Sequence, residues 1–161
     1  MRNFYKNKKI LITGSSGFVG SWLSTALHEM GASLYGISLK PNTSPSLFKL
    51  LNLENKINQK YIDICKFNKL NSAIKEISPD IVFHLAAQPL VRESYEKTIE
   101  TFNTNVIGTL NVLESCKNLD SHVNFICITT DKCYENNEFG ERFIESDPMG
   151  GKDPYSASKA C

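Results

Sequence analysis

The 161-residue sequence lacks an excess of either charge. Its 18 Lys+Arg face 17 Asp+Glu, a net charge of +1, which argues against nucleic acid or an anionic membrane as partner. It lacks a long apolar run as well. The apolar segment after the basic start (Arg2, Lys6, Lys8, Lys9) is too short for a signal peptide or a membrane span. No CxxC pair or metal-type spacing joins Cys65, Cys116, Cys127, Cys133 and Cys161, so buried, reduced thiols and no metal site are expected. There is no internal repeat and no low-complexity tract. What remains is an expectation of one soluble, cytoplasmic domain, since 41% hydrophobic and 22% charged residues are ordinary for a chain with a real core.

What is present begins at Lys9-Ile10-Leu11-Ile12-Thr13, an apolar run that ends in a loop with Gly14, Gly17 and Gly20. A helical pattern follows at Trp22, Leu23, Ala26, Leu27 and Met30, with a stop at Gly31. Strand, glycine turn and helix in that order open a dinucleotide-binding unit. Gly14 permits the tight turn, Gly17 lets backbone N–H groups approach a pyrophosphate, and Gly20 lets the helix pack close. The pyrophosphate is expected at the helix N-terminus, where unpaired N–H groups and the dipole favour an anion.

Further strands are predicted at Ser33–Leu39, Lys60–Ile64, Asp80–Ala87 and Val123–Ile128. Leu47 to Leu53 reads as a short helix over the sheet edge. Helical spacing recurs at Leu70, Ile74 and Ile77, closed by Pro79, and again at Ile99, Phe102, Val106, Leu110 and Leu113. Strands alternating with helices predict an α/β fold, a doubly wound parallel sheet of Rossmann type with ligands at the strand C-terminal ends. One signal is missing. An NAD site usually has an acid about 20 residues beyond the glycine loop, yet the second strand ends in Ser38, with Lys40 just beyond. Spacing alone therefore leaves NAD and NADP open.

Near the chain end, Asp153 can cap a helix that Pro154 starts, which places Tyr155 and Lys159 four apart on one face. An ammonium beside a phenol favours the phenolate, a form able to take a proton from a hydroxyl while hydride leaves the same carbon. An ordinary surface Tyr–Lys pair is the plainer alternative.

With these residues in hand, the sequence resembles the extended short-chain dehydrogenases/reductases, the family of sugar-nucleotide dehydratases and epimerases. The resemblance is carried by Thr13 to Gly20, Asp63-Ile64, His84-Leu85-Ala86-Ala87-Gln88, Asn105-Val106-Ile107-Gly108-Thr109 and Tyr155-Ser156-Ala157-Ser158-Lys159. Gly20-Ser21-Trp22-Leu23, Leu47-Phe48, Gln88-Pro89-Leu90-Val91-Arg92, Thr130 to Asn136 and Asp147-Pro148-Met149-Gly150-Gly151 are most similar to its CDP-glucose 4,6-dehydratase branch. It covers essentially all 161 residues.

The resemblance implies an NAD-linked internal redox dehydration of a nucleotide sugar. Tyr155, Lys159 and Thr130 would act at the 4-hydroxyl, and Asp131 would serve as acid for the 6-hydroxyl. Lys132 would be either the base at C5 or an electrostatic support for an enolate. Gly14, Gly17, Phe18, Val19, Gly20, Ser38, Asp63, Ile64, Leu85, Ala86 and Ala87 would hold the cofactor together with Tyr155 and Lys159, and Gln88 and Arg92 the substrate. His84 is expected as a hydrogen-bonded core residue, and Trp22 and Phe18 as helix–sheet packing. Family members are longer, so the resemblance implies an N-terminal NAD-binding domain at 1–161 without its substrate domain. It also implies a homodimer in the full-length enzyme, built on the helices of Ile99–Leu113 and Tyr155.

Overall fold

The computed structural model describes residues 2–135, 140 and 142–161. A short helix α1 (Arg2–Tyr5) leads into β1 (Lys9–Thr13), α2 (Phe18–Glu29) and β2 (Ser33–Ser38). Helix α3 (Leu47–Leu50) and a 3-10 turn at Leu53–Asn55 precede β3 (Asn58–Tyr61), α4 (Phe67–Ile77) and β4 (Ile81–His84). Helices α5 (Val91–Glu96) and α6 (Thr98–Phe102) follow, then a π-helical segment Asn103–Gly108 that runs straight into α7 (Thr109–Lys117). Strand β5 (Asn124–Cys127), a 3-10 turn at Asp131–Cys133 and α8 (Pro154–Ala160) complete the described elements.

The strands form one sheet in the order β3-β2-β1-β4-β5, every pair parallel. Alternation along β1 divides the core between the two faces of the sheet. Leu11 joins Ile37 and Val82 beneath Leu70, Ile74 and Val112 of α4 and α7. Ile10 and Ile12 join Leu34 and Ile81 against Leu27 of α2, Phe48 of α3 and Leu53. Helices on both faces make the doubly wound arrangement that the alternation of elements predicts. The chain order reverses across β1, with β2 on one side and β4 on the other, which is the switch point where such sheets bind ligands.

Three expectations need correction. The third strand lies at Asn58–Tyr61, and Ile62–Ile64 leave it as a loop, so the pairing ends earlier than the apolar run suggests. Phe18 and Trp22 are 71% and 53% exposed, because α2 packs through Gly20, Ser21, Ser24 and Leu27 instead. The stripe Ile99, Leu110 and Leu113, on the helices expected to pair with a second copy, is exposed (79%, 54% and 41%), while Thr101, Asn105, Gly108 and Val112 face inward. Small residues there let the helical path close on the sheet. Finally, Cys116 and Cys133 are buried but Cys127 and Cys161 are exposed.

Candidate functional site

At the C-terminal end of β1 the chain must turn sharply, and Gly14 does so at φ +72°, a left-handed conformation that disfavours a side chain. A Cβ there would also lie 2.8 Å from the Ala86 backbone nitrogen. Gly20 faces the same turn, and a Cβ on it would collide with the Gly14 carbonyl. So α2 begins directly on the glycine loop. Its N-cap, Gly17, supplies no side-chain cap, which leaves the helix start to an outside acceptor.

A cleft of about 850 Å³ opens at this point. Gly14, Gly17, Phe18, Val19, Gly20, Ser38, Asp63, Ile64, Leu85, Ala86 and Ala87 all line it. Cys65, Lys66, Ile99, Glu100, Asn103 and Thr104, to which the sequence reading gave no cofactor role, line it as well. Their only sequence signal was proximity to Asp63 and to the Ile99 helix. The Ser38 hydroxyl donates to the Leu39 carbonyl (2.9 Å) and accepts from the Gln59 side chain (3.0 Å). Gln59 in turn accepts from Ser15 (2.7 Å), tying β3 to the glycine loop. Asp63 accepts from the Cys65 N–H (2.9 Å), which rounds off the loop after β3.

The wall at Leu85–Ala87 is held by a buried polar chain. Thr13 Oγ1 accepts from the Leu85 and Ala86 N–H groups (both 3.2 Å) and so directs its own proton to His84 Nδ1 (2.7 Å). His84 Nε2 then donates to Thr109 (2.9 Å), whose hydroxyl donates to the Asn105 carbonyl (2.7 Å). The imidazole is neutral in this arrangement. Burial, and next the charge of Lys159, push its pKa down to about 4. His84 is thus a hydrogen-bonded core residue that orients the cleft wall.

Asn105 sits in the π-helical segment, a distortion that often marks functional positions. Its side chain accepts from the Gln88 N–H (2.8 Å) and donates to the Gln88 carbonyl (3.1 Å) and to Ser158 (2.8 Å). One buried amide therefore joins the β4 exit to α8. The sequence shows Asn105 only as part of a motif. Gln88 departs from its expected role. It is 8% exposed, and its side chain donates to Leu90 and Thr101 and accepts from the Leu90 N–H, so both amide protons are engaged inside the protein. Arg92 on α5 is exposed and forms no ion pair among the described residues.

Helix α8 starts as its sequence predicts. Asp153 accepts from the Ser156 N–H (2.9 Å) and hydroxyl (2.5 Å), with Pro154 in the first turn. Burial is the largest single influence on Asp153 and raises its pKa. Bonds from Ser156 and the Tyr155 backbone, with the charge of Lys132, outweigh burial and hold the carboxyl below its ordinary value. The Tyr155 N–H donates to Ser94 of α5 (3.1 Å). Lys159 Nζ donates to the Ile128 carbonyl just past β5 (3.0 Å). Tyr155 is thereby tied to α5 and Lys159 to the exit of β5, and both lie outside the lining of the 850 Å³ cleft.

Thr130 caps the turn Asp131–Cys133, its Oγ1 donating to Asp131 (3.1 Å) and accepting from the Lys132 N–H (3.3 Å). Asp131 and Lys132 are exposed and line a second pocket of about 410 Å³ with Tyr134, Gly150, Gly151 and Asp153. The desolvation that an acid or base role asks of them is not supplied by the described residues. Tyr134 and Met149 form a β-bridge, and Gly150 N–H reaches the Cys133 carbonyl (2.9 Å), so two separate motifs meet. Asn136, the end of the Thr130 motif, lies outside the described residues. Among the described residues no group of three or more His, Cys, Asp or Glu could hold a metal ion, and no helix is long and apolar enough to cross a membrane.

The family model described as GDP-mannose 4,6 dehydratase matches residues 11–161. CDP-glucose 4,6-dehydratase of Salmonella typhimurium is 49% identical over 160 residues, covering 99% of this chain and 45% of that protein. An epimerase from Methanothermobacter thermautotrophicus matches in structure at a TM-score of 0.84 with 28% identity, over 99% of this chain and 46% of the other. UDP-glucose 4-epimerase of Thermus thermophilus, solved in complex with NAD, matches at 0.79 with 30% identity, over 94% and 47%. The chain spans about half the length of the curated relatives it matches.

Proposed function

This chain belongs to the GDP-mannose 4,6-dehydratase family within the extended short-chain dehydrogenases/reductases, and from that premise we propose that it forms the NAD-binding half of a CDP-glucose 4,6-dehydratase. One observation carries the reading above all. The uncapped start of α2, the Gly14–Gly20 turn and the Leu85–Ala87 wall enclose one cleft at the switch point of the sheet. This supports a dinucleotide bound there, its pyrophosphate on the helix N-terminus where no Cβ of Gly14 or Gly20 intrudes. Bound there, the cofactor supplies hydride acceptance from the sugar C4 and hydride return at C6.

The side chains supply the rest. Tyr155 takes the proton of the 4-hydroxyl, with the Lys159 ammonium supporting the phenolate and Thr130 hydrogen-bonding the same oxygen. The ketone at C4 acidifies the proton at C5. Asp131 then gives a proton to the departing 6-hydroxyl, while Lys132 takes the C5 proton or balances the enolate. Water leaves across C5–C6 to give the 4-keto-5,6-ene, and with hydride returned at C6 and a proton returned at C5 the product is the 4-keto-6-deoxy sugar. Arg92, free of ion pairs among the described residues, suits the substrate diphosphate. The exposed face of Ile99, Ile107, Leu110 and Leu113 suits pairing with a second copy.

A dinucleotide-binding module without turnover is the second reading, favoured by the exposure of Asp131 and Lys132. Two measurements decide. Titration of the chain into NADH is expected to enhance its fluorescence, and no enhancement would overturn the cofactor reading. A new C6 methyl doublet in the ¹H NMR spectrum of CDP-glucose with NAD⁺ selects the dehydratase, and its absence with cofactor bound selects the module.

A further inference from the structure

Tyr155 can take the 4-hydroxyl proton, the role proposed above and the one this inference rests on, only if its phenol is aimed. It is the second residue of α8, so its N–H is one of the first-turn donors that the helix cannot satisfy itself. Pro154 has no N–H to place. The Ser156 N–H goes to the Asp153 side chain (2.9 Å) and the Ala157 N–H to the Asp153 carbonyl (2.9 Å). The Tyr155 N–H instead crosses to α5, where Ser94 Oγ accepts it (3.1 Å). The Asp153 carboxyl is also stabilised by the Tyr155 N–H, but Asp153 directly precedes α8 and moves with it. Ser94 belongs to another element, so its bond fixes the start of α8 within the fold.

Ser94 is fully buried. Its hydroxyl gives its proton to the Val91 carbonyl (2.6 Å), which leaves a lone pair for Tyr155. Its own N–H donates to the Leu90 carbonyl (3.0 Å). Leu90 is in turn gripped by the Gln88 side chain, which accepts from its N–H (2.6 Å) and donates to its carbonyl (3.1 Å). Gln88 directly follows the Leu85–Ala87 wall of the cleft. A continuous set of hydrogen bonds therefore runs from that wall through Gln88, Leu90 and Ser94 to the backbone of Tyr155. On the other side of the same residue, the Tyr155 carbonyl accepts from Ser158 Oγ (2.7 Å), which accepts from Asn105 (2.8 Å).

We propose that Ser94 is a positioning residue for Tyr155, holding the phenol in a fixed relation to the cleft wall. The test is ¹⁹F NMR of the chain labelled with fluorotyrosine, the Tyr155 resonance being assigned with Tyr155→Phe. In the wild-type chain NAD⁺ is expected to shift that resonance. Ser94→Ala keeps α5, because alanine is a good helix former, and removes only the acceptor. In this variant the Tyr155 resonance is expected to move and broaden without cofactor and to lose most of its NAD⁺-dependent shift. The affinity for NAD⁺ is expected to stay within about threefold, since Ser94 does not line the cleft. Ser115→Ala is the control. It removes an equally buried hydroxyl that donates to the Asn111 carbonyl of its own helix (2.7 Å), and should leave the Tyr155 resonance in place. An unchanged resonance in Ser94→Ala, or an equal change in Ser115→Ala, would overturn the proposal. A wild-type chain that binds no NAD⁺ would overturn the dinucleotide reading instead, and the resonance without cofactor would still decide for or against Ser94.

Discussion

At the residue scale, two positions bear on the cleft most directly. Gly14 combines a positive φ with backbone contact at Ala86, so Gly14→Ala meets both strain and a clash. A loss of about 2 kcal/mol or more is expected in urea unfolding, together with loss of NADH binding. His84 gives a pH dependence. Its folded pKa of about 4 lies below the ordinary 6.5, so its stabilising neutral state is fully effective above 6.5. That contribution is lost progressively as pH falls from 6.5 through 4, by at most about 3 kcal/mol from a shift of this size. Urea midpoints at pH 7, 5.5 and 4 should show the slope, and His84→Gln should flatten it. An equal slope in both proteins would exclude His84 as its source.

At the scale of the element, α8 depends on its cap. Asp153 holds the first turn through Ser156, and Asp153→Ala should cost about 1 kcal/mol and speed hydrogen exchange at the Ser156 amide. Because its folded pKa is depressed, this contribution is present above the ordinary 3.8 and lost as pH falls further. The path from α6 to α7 makes a different point. Its apolar stripe was legible by spacing, but periodicity cannot say which neighbour covers it. Inside the chain, Thr101, Asn105 and Gly108 take the buried side, because small or hydrogen-bonded residues allow close approach there.

For the whole molecule, that stripe belongs to the proposed pairing of two copies. Leu110→Asp, at a position 54% exposed, should leave the unfolding midpoint nearly unchanged while shifting sedimentation from dimer to monomer. A monomeric wild-type chain would remove the dimer proposal and leave the fold untouched. That the sheet is parallel with helices on both faces was legible in the alternation of strand and helix patterns, whereas the order β3-β2-β1-β4-β5 came only with the structure.

By itself the sequence determined the sheet class, the glycine turn, the capped start of α8 and the cleft residues near Gly14, since each follows from local propensity or a short motif. The tertiary structure alone decided the rest. Gln88 turns inward because Thr101, Leu90 and Asn105 satisfy it from other elements. Trp22 faces outward because Gly20, Ser21 and Ser24 bring α2 down on its other side. The Thr13–His84–Thr109 chain joins residues far apart in sequence, and no spacing rule encodes it. Local patterns report which residues are apolar or conformationally permissive. Which neighbour each one meets is settled only when the sheet closes.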